Sequence, residues 1–324
     1  MGNLMPKPIP ISVLVLAIAS LCLVSPVAQA RPQTSASDSQ SRSQNADPSS
    51  SRQPPSPDEL RARMKNLIAN QHKDDLAQEQ YEWIEHHIGQ TGGASPRILD
   101  DKTIRLVPNG AGTTKLILAE NGSSTDSAES RRQLQNLVQV LQMMVNPNDP
   151  RMQTATAKYQ KRMREHADLV DIIGDAFTVG WLGRESRGGH DCDVIQANPN
   201  PDFHPHTIFQ DALAHVSAKV WVDHTGDQIV HADAKILSDI PFGGGFVGKL
   251  YRGGTVTLDQ AEIAPGLWFT TREQYDFSGR KFLFPFEEHE TVEFSQFRFV
   301  GPPKDALAMA QAELANSKPA SGDP

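Results

Sequence analysis

The second half of the chain alternates apolar and polar residues over long stretches that short turns interrupt. Residues 216–222 place Val, Ala, Val and Val at every second position, and residues 230–236 repeat the pattern after a Thr-Gly-Asp turn. A period of two is typical of β-strands with one buried face, whereas an amphipathic helix has a period of 3.6. The chain from Phe177 to Val300 is therefore predicted to form a meander of antiparallel strands.

The alternation continues to the end of this region. Aromatic residues occupy every second position of residues 282–286, and apolar alternation returns in residues 292–294. Its phase slips at Ser295-Gln296, which predicts a β-bulge. The acidic run Glu287-Glu288-His289-Glu290 lies between two apolar runs and is predicted to be a solvated turn.

Three helices are predicted before the strand meander. Ser56-Pro57-Asp58-Glu59 is a capping box with proline at the first helical position, and it predicts a helix that ends near His72. Asp126 with Glu129 caps a second helix, and a Pro-rich break at 146–150 separates it from a third that ends near Ile173. These two are predicted to form a helical hairpin over about 126–173, and three strands are predicted between the first helix and this hairpin.

The remaining segments set the boundaries of the folded part. Residues 1–30 combine an early lysine, an apolar run and small residues before a cleavage point near Ala30, which predicts a signal peptide and a periplasmic or secreted protein that is not transmembrane. Residues 31–55 are polar and Ser-rich, which predicts a disordered linker. A single domain is expected over 56–302, followed by a C-terminal helix and a disordered tail over 303–324. The net charge of −8 argues against nucleic acid or an anionic membrane as the main partner, because both favour clustered Lys and Arg.

Glycines are concentrated in the stretch "IPFGGGFVGK", residues 240–249, which superficially matches a phosphate-binding loop. Such a loop must open a helix, but β-branched residues and two more glycines follow here, so no nucleotide cofactor is expected. Glycines within strand runs mark bulges and sharp bends instead. The bends of the sheet are therefore assigned to the following residues: Gly243, Gly244, Gly245, Gly253 and Gly254.

Catalytic and metal chemistry have one candidate cluster. His190 and Cys192 would share a strand face, and His204 or His206 could join them, which leaves a metal-dependent or cysteine hydrolase as an alternative. The spacing matches no recognised metal site, and two aspartates flank the cysteine and oppose a reactive thiolate. No catalytic residue, metal or cofactor is therefore expected, and Cys192 is interpreted as a small buried side chain.

Several motifs resemble a group of uncharacterised exported bacterial proteins whose sheet is similar to that of the lipoprotein-localisation carriers of the LolA and LolB type. The motifs are "ANQHKDD" (69–75), "LAENGSS" (118–124), "GRES" (183–186), "NPNPDF" (198–203), "KVWVDHTGDQIVHADAKI" (219–236), "DIPFGGGFVGKLYRGGT" (239–255), "PGLWF" (265–269) and "SGRKFLF" (278–284). The resemblance implies an α+β fold with a strongly curved antiparallel sheet, which forms a half-open barrel covered by helices.

The same resemblance implies a function without catalysis. The carriers receive acyl chains in the hollow between sheet and helices, so this chain is expected to bind a lipid or a lipidated partner, such as a lipoprotein. The residues expected to face the cavity are Val220, Val222, Leu267, Phe269, Phe282 and Phe284. An envelope sensor or scaffold that binds another envelope protein through the sheet and the helical hairpin is the alternative.

Overall fold

The computed structural model describes residues 54–93, 95–242 and 245–317. The predicted signal peptide, residues 31–53 of the linker, Gly243, Gly244 and residues 318–324 of the tail lie outside the described residues.

Six helices occur in the described part of the chain. They are α1 (Pro57–Gln78), α2 (Ser127–Met144), α3 (Pro150–Asp171), α4 (Ile173–Ala176), α5 (Ile208–Leu213) and α6 (Pro303–Asn316). The capping box is confirmed, because the Ser56 hydroxyl accepts a hydrogen bond from the Glu59 amide and the Glu59 carboxylate accepts one from the Ser56 amide. The Asp126 cap is confirmed as well, since its carboxylate accepts from the Glu129 amide at 2.8 Å.

The strands of the described residues form one antiparallel sheet. They are β1 (Tyr81–Gln90), β2 (Ile98–Pro108), β3 (Thr113–Glu120), β4 (Ser123–Ser124), β5 (Phe177–Arg187), β6 (His190–Pro199), β7 (Val216–Asp223), β8 (Ile229–Ile236), β9 (Ile240–Phe242), β10 (Gly248–Leu250), β11 (Thr255–Ala264), β12 (Leu267–Lys281) and β13 (Phe284–Phe299). The order is β4-β3-β2-β1-β13-β12-β11-β8-β7-β6-β5, and β9 and β10 form a hairpin beside β12. The end strands β4 and β5 do not pair with each other, so the sheet is open. The expected open antiparallel sheet covered by helices is confirmed.

The acidic run at 287–290 lies within β13, so its assignment to a turn was wrong. Its residues pair in register with β12, and those at 289 and 290 also pair with β1. The backbone hydrogen bonds of two neighbouring strands therefore hold this polar segment in the sheet, although its composition suits a turn.

Bulges interrupt the register where the sheet bends. Opposite Trp83, the β13 strand carries one extra residue, because Glu82 pairs with Arg298 and Ile84 pairs with Ser295. Gln296 in this bulge has a φ of 53°, which confirms the bulge predicted at Ser295-Gln296. Further register shifts occur between β5 and β6, β7 and β8, and β11 and β12. Each extra residue increases the local twist, so the sheet curves.

The helices lie on both faces of the sheet. Helix α1 packs Leu60 and Leu67 on Val222 and Leu258. The face of the sheet that α1 covers is called the inner face below. On β2, Leu106 packs with Trp83 on the inner face, whereas its neighbour Val107 packs with α2 and α6 on the opposite face. The two predicted helices of the 126–173 segment are present, and the buried residues of α2 pack against the strands and α6.

The glycines of the bends have two kinds of environment. Gly245 and Gly253 have φ values of 83° and 95°, which other residues adopt at a cost. Gly254 lies where a Cβ would come within 2.7 Å of the Phe277 ring, so only glycine lets the chain approach there.

Candidate functional site

The register of the sheet aligns one row of side chains across the inner face. Directly paired residues share a face, and the row reads Ile195, Val220, Ala232, Leu258, Glu273, Val292, His87 and Lys102, from β6 to β2. The row is apolar from β6 to β11 and contains charged residues from β12 onward. The inner face therefore has an apolar half and a polar half.

The apolar half is covered by α1. Leu60 and Leu67 from this helix pack with Val222, Ile229 and other residues of strands β6 to β8 and β11. The helix buries six side chains in all, and four of them are polar: Gln71, Asp74, Asp75 and Gln78. Helix α1 is therefore a cover with few apolar anchors on an apolar sheet surface.

An arginine ties the first half of α1 to the sheet. The Arg63 guanidinium donates to the Asp193 carboxylate, to Asp227 Oδ1 at 2.6 Å and to the Asp223 carbonyl at 3.1 Å. Asp193 also accepts hydrogen bonds from Trp181 Nε1 at 2.9 Å and from Arg184 Nε at 3.1 Å.

The Asp193 carboxylate is stabilised in its charged form by these contacts. Its side chain is only 2% exposed. Burial alone would raise its pKa, but the hydrogen bonds from Trp181, His224, Arg63 and Arg184 outweigh burial and lower it well below the usual range.

The polar half contains a chain of buried hydrogen bonds. His87 Nε2 lies 2.8 Å from Glu85 Oε2, and His87 Nδ1 lies 2.6 Å from Glu290 Oε1. The Trp83 indole donates to Glu85 Oε1 at 3.1 Å. One imidazole therefore links two carboxylates that belong to β1 and β13.

A second buried pair lies beside this chain. The Tyr275 hydroxyl donates to Glu273, whose side chain is buried. Burial raises the pKa of Glu273 to about 8, and the nearby carboxylates of Glu85 and Glu290 add to this effect. Burial likewise raises the pKa of Glu288 to about 7, with Glu290 as the next cause. At neutral pH, Glu273 is therefore mainly protonated and uncharged.

A cleft opens between the end of α1, helix α3 and the turn that joins β2 to β3. Its cavity volume is about 40 Å³, and its lining includes the donors of Gln78 and Arg162 and the carboxylates of Asp75 and Glu79. Among the described residues, neither Gln78 Nε2 nor Arg162 Nε has a hydrogen-bond partner, although both atoms are buried. Two buried donors therefore remain available to a ligand with acceptor oxygens.

Comparisons with known proteins give likenesses of structure. No protein-family model matches the chain, and no curated protein matches it in sequence. A solved domain described as an outer membrane lipoprotein-sorting protein, from Vibrio parahaemolyticus, is 9% identical with a TM-score of 0.31, and the match covers 73% of this chain and 93% of that chain.

Two further solved structures are similar. A LolA superfamily protein from Nitrosomonas europaea is 8% identical with a TM-score of 0.30, covering 75% of this chain and 96% of that chain. A DUF1329 family protein from Desulfovibrio piger is 12% identical with a TM-score of 0.29, covering 74% of this chain and 92% of that chain. These matches name the group to which the sequence motifs pointed.

The six residues expected to face one cavity lie at separate places. Val220 and Val222 are on the inner face under α1. Phe269 is 1% exposed and packs edge-on against Tyr81 at 5.1 Å. Phe282 and Phe284 are 55% and 67% exposed at the turn between β12 and β13.

The position of these two phenylalanines has a simple physical reason. Alternation shows which face of a strand is apolar, but it does not show where a hairpin extends beyond its neighbours. The sixth residue, Leu267, begins β12 and is half-buried.

The residues of the hydrolase alternative do not form a reactive site. Burial, then the nearby charge of Asp223, raises the pKa of the Cys192 thiol to about 11. His190 packs edge-on against Trp268 at 4.9 Å, and His204 and His206 are exposed. No group of three or more metal-binding side chains occurs among the residues that the structure describes.

Sequence reasoning missed the polar half of the inner face. Trp83, Glu85 and His87 occupy alternate positions of β1, and Glu273 with Tyr275 do so in β12. Glutamates at positions that share a face with aromatic residues were the available signal.

Within the described residues, no helix is both long and apolar enough to cross a membrane.

Proposed function

We propose that this is an exported, non-catalytic binding protein that holds a lipid acyl chain or a lipidated partner between the inner face and α1. The observation that carries the proposal is the nature of the cover. Helix α1 lies on an apolar sheet surface, where Leu60 and Leu67 are its only fully buried apolar side chains and Met64 and Ile68 are partly buried. Its apolar contacts are few, and the contacts of Arg63 with the sheet are the main further cost of displacing it.

An acyl chain on this surface must contribute more free energy than displacement of the helix costs. Exposing Leu60 and Leu67 costs about 1.5–3 kcal/mol for each side chain, and breaking the contacts of Arg63 adds about 2–4 kcal/mol. Each methylene buried in their place contributes about 0.8 kcal/mol, so a chain of ten gives on the order of 8 kcal/mol. The chain would lie on Val220, Val222 and Leu258, which belong to the apolar half of the row.

When α1 moves, the cleft would present two donors to the head group of such a ligand. Gln78 Nε2 and Arg162 Nε are buried donors without a hydrogen-bond partner among the described residues, and carboxylate or phosphate oxygens would satisfy both. A buried amide without a partner is costly, so Gln78→Met is expected to stabilise the free protein slightly. The same change should weaken the binding of a fluorescent fatty acid about tenfold, which corresponds to roughly 1.4 kcal/mol.

A reversible crosslink tests whether α1 must move. Asn66 Nδ2 on α1 lies 2.8 Å from Asp227 Oδ2 on the turn between β7 and β8, so Asn66→Cys with Asp227→Cys places two thiols together. Oxidation should lock α1 on the sheet and abolish uptake of a fluorescent fatty acid, and reduction should restore it. The native Cys192 is buried and does not interfere.

The matched control crosslinks two strands and leaves α1 free. Lys102 and Glu120 are directly paired between β2 and β3, with Lys102 Nζ 3.0 Å from Glu120 Oε1. The pair Lys102→Cys with Glu120→Cys should take up the same ligand whether oxidised or reduced. The proposal is contradicted if the α1 lock (Asn66→Cys with Asp227→Cys) takes up as much ligand when oxidised as when reduced. Its disulfide is verified by mass spectrometry.

A protein-binding scaffold is the second candidate, and one observation favours it. Strand β5 is at the end of the sheet and pairs only with β6 among the described strands, while Leu182 on it is 56% exposed. An edge strand can accept a strand from a partner. A photoreactive residue in place of Leu182 should then trap a specific envelope protein in cells, and one in place of Leu99 on β2 should not.

A further inference from the structure

Two neighbouring turns form one exposed apolar surface. The turn between β9 and β10 presents Phe246 and Val247, which are 86% and 50% exposed. The turn between β12 and β13 presents Phe282, Leu283 and Phe284, which are 55%, 87% and 67% exposed. These five residues are called the apolar tip. Large apolar side chains grouped in this way on a protein surface mark an interaction site.

The two turns are joined by specific hydrogen bonds. The Phe282 amide donates to the Val247 carbonyl at 2.9 Å. The Arg280 guanidinium donates to the carbonyls of Phe282 and Gly245, each at 2.8 Å, so one side chain connects both turns. These hydrogen bonds hold Gly245 and Val247 beside Phe282, so the two turns meet.

Glycine allows the strands beneath the tip to come close together. A Cβ on Gly279 of β12 would lie 2.5 Å from the Lys249 carbonyl of β10. A Cβ on Gly248 would lie 3.1 Å from the Arg280 carbonyl. These glycines bring the β9–β10 hairpin against β12, and the two turns consequently end side by side.

The backbone of Phe282 adds a second sign of function. Its φ is 54°, a left-handed conformation that glycine or asparagine normally occupies in a turn. A large aromatic residue in this conformation is strained, and such strain is concentrated at sites of binding. The side chain gains no burial in return, because it is more than half exposed.

The charges beside the tip identify the partner. The chain as a whole is acidic, but the charged residues within two positions of the five apolar residues are Lys249, Arg280 and Lys281. Asp239 pairs with Lys249 at 3.1 Å, so the charge beside the tip remains positive through Arg280 and Lys281. Apolar side chains surrounded by cations match the interface of an anionic bilayer, where the chains enter the acyl boundary and the cations meet phosphate groups. We propose that the apolar tip inserts into the surface of an anionic lipid membrane and docks the protein there.

Vesicle flotation tests the proposal on the full mature protein. Binding is measured on vesicles of phosphatidylcholine alone and on vesicles that contain 30% phosphatidylglycerol. Phe246→Ser with Leu283→Ser should reduce binding to the anionic vesicles at least tenfold. Lys281→Glu should reduce binding to the anionic vesicles and leave binding to the neutral ones unchanged.

The control removes an equal number of exposed apolar residues elsewhere. Ile98 and Leu99 on β2 are 62% and 66% exposed, so Ile98→Ser with Leu99→Ser should bind vesicles as the unmodified protein does. Thermal unfolding of all variants checks that the fold is retained. A Leu283→Cys protein labelled with an environment-sensitive dye should shift its emission to the blue on anionic vesicles.

Three outcomes would overturn membrane docking. In the first, the tip variant still binds vesicles. In the second, the emission of the dye does not change on vesicles. In the third, the unmodified protein is a dimer and the tip variant is a monomer. The last result would make the tip an interface between two copies. Membrane docking does not depend on acyl-chain uptake, because the tip variant should still take up fatty acid from solution and the oxidised α1 lock should still bind vesicles.

Discussion

Replacing Glu273 by glutamine should stabilise the protein at high pH and have little effect at low pH. Glu273 is buried on the inner face, where burial and the neighbouring carboxylates of Glu85 and Glu290 raise its pKa from 4.5 to about 8. Glutamine has nearly the same size, carries no charge and can still accept the hydrogen bond from Tyr275.

The sign follows from proton binding. Between pH 4.5 and about 8 the folded protein holds a proton at Glu273 that the unfolded chain has lost, so rising pH lowers the free energy of unfolding in this window. Above pH 8 the folded protein has lost this proton as well, so the free energy of unfolding falls no further. One pKa unit corresponds to about 1.4 kcal/mol, so the loss has an upper limit of roughly 5 kcal/mol. Glu273→Gln removes it.

Urea unfolding followed by tryptophan fluorescence at pH 5, 7 and 9 measures the effect. Glu273→Gln should match the unmodified protein at pH 5 and exceed its free energy of unfolding by about 2–5 kcal/mol at pH 9. Glu288 titrates in the same window in both proteins, so the difference between them isolates Glu273. Glu165→Gln on the exposed face of α3 is the control and should show no such trend. A pH-independent difference, or a variant less stable at pH 9, would refute the assignment.

Three further predictions follow from single contacts. Arg63→Met removes the cation that ties α1 to the sheet and should lower the free energy of unfolding by about 2–4 kcal/mol, with faster amide exchange in α1 as the readout. Gly254→Ala forces a Cβ to within 2.7 Å of the Phe277 ring and should cost about 1–3 kcal/mol in urea unfolding. Gly180→Ala, where a Cβ meets nothing within 4 Å, should be neutral or slightly stabilising, and a larger loss there would contradict the steric explanation. Cys192 should resist a thiol reagent at pH 8 in the folded protein and react after unfolding, because its thiol is buried with a pKa of about 11.

Local features of the fold could be predicted from the sequence because neighbouring residues decide them. The Ser56 and Asp126 caps depend on residues three positions away, and both occur as predicted. The bulge at Ser295-Gln296 was visible as a slip in the apolar phase, and Gln296 has the left-handed backbone of such a bulge.

The candidate site could be predicted only in part. The resemblance implied that Val220 and Val222 face a ligand cavity; they lie on the sheet face that α1 covers, and their contact with a ligand stays a prediction. Glu85, His87 and Glu290 were missed, since each is an ordinary polar residue in its own segment. They come together because β13 returns to pair with β1, about two hundred residues earlier in the chain.

The sequence by itself determined the strands, the capped helices and the apolar faces, because period, caps and turn residues act over a few positions. Tertiary structure alone decided which strands are neighbours, and therefore that the inner face has a polar half and that two distant turns form the apolar tip. Strand pairing depends on backbone hydrogen bonds that every residue except proline can donate, so composition leaves it open. The choice is made by the packing of the whole sheet against its helices.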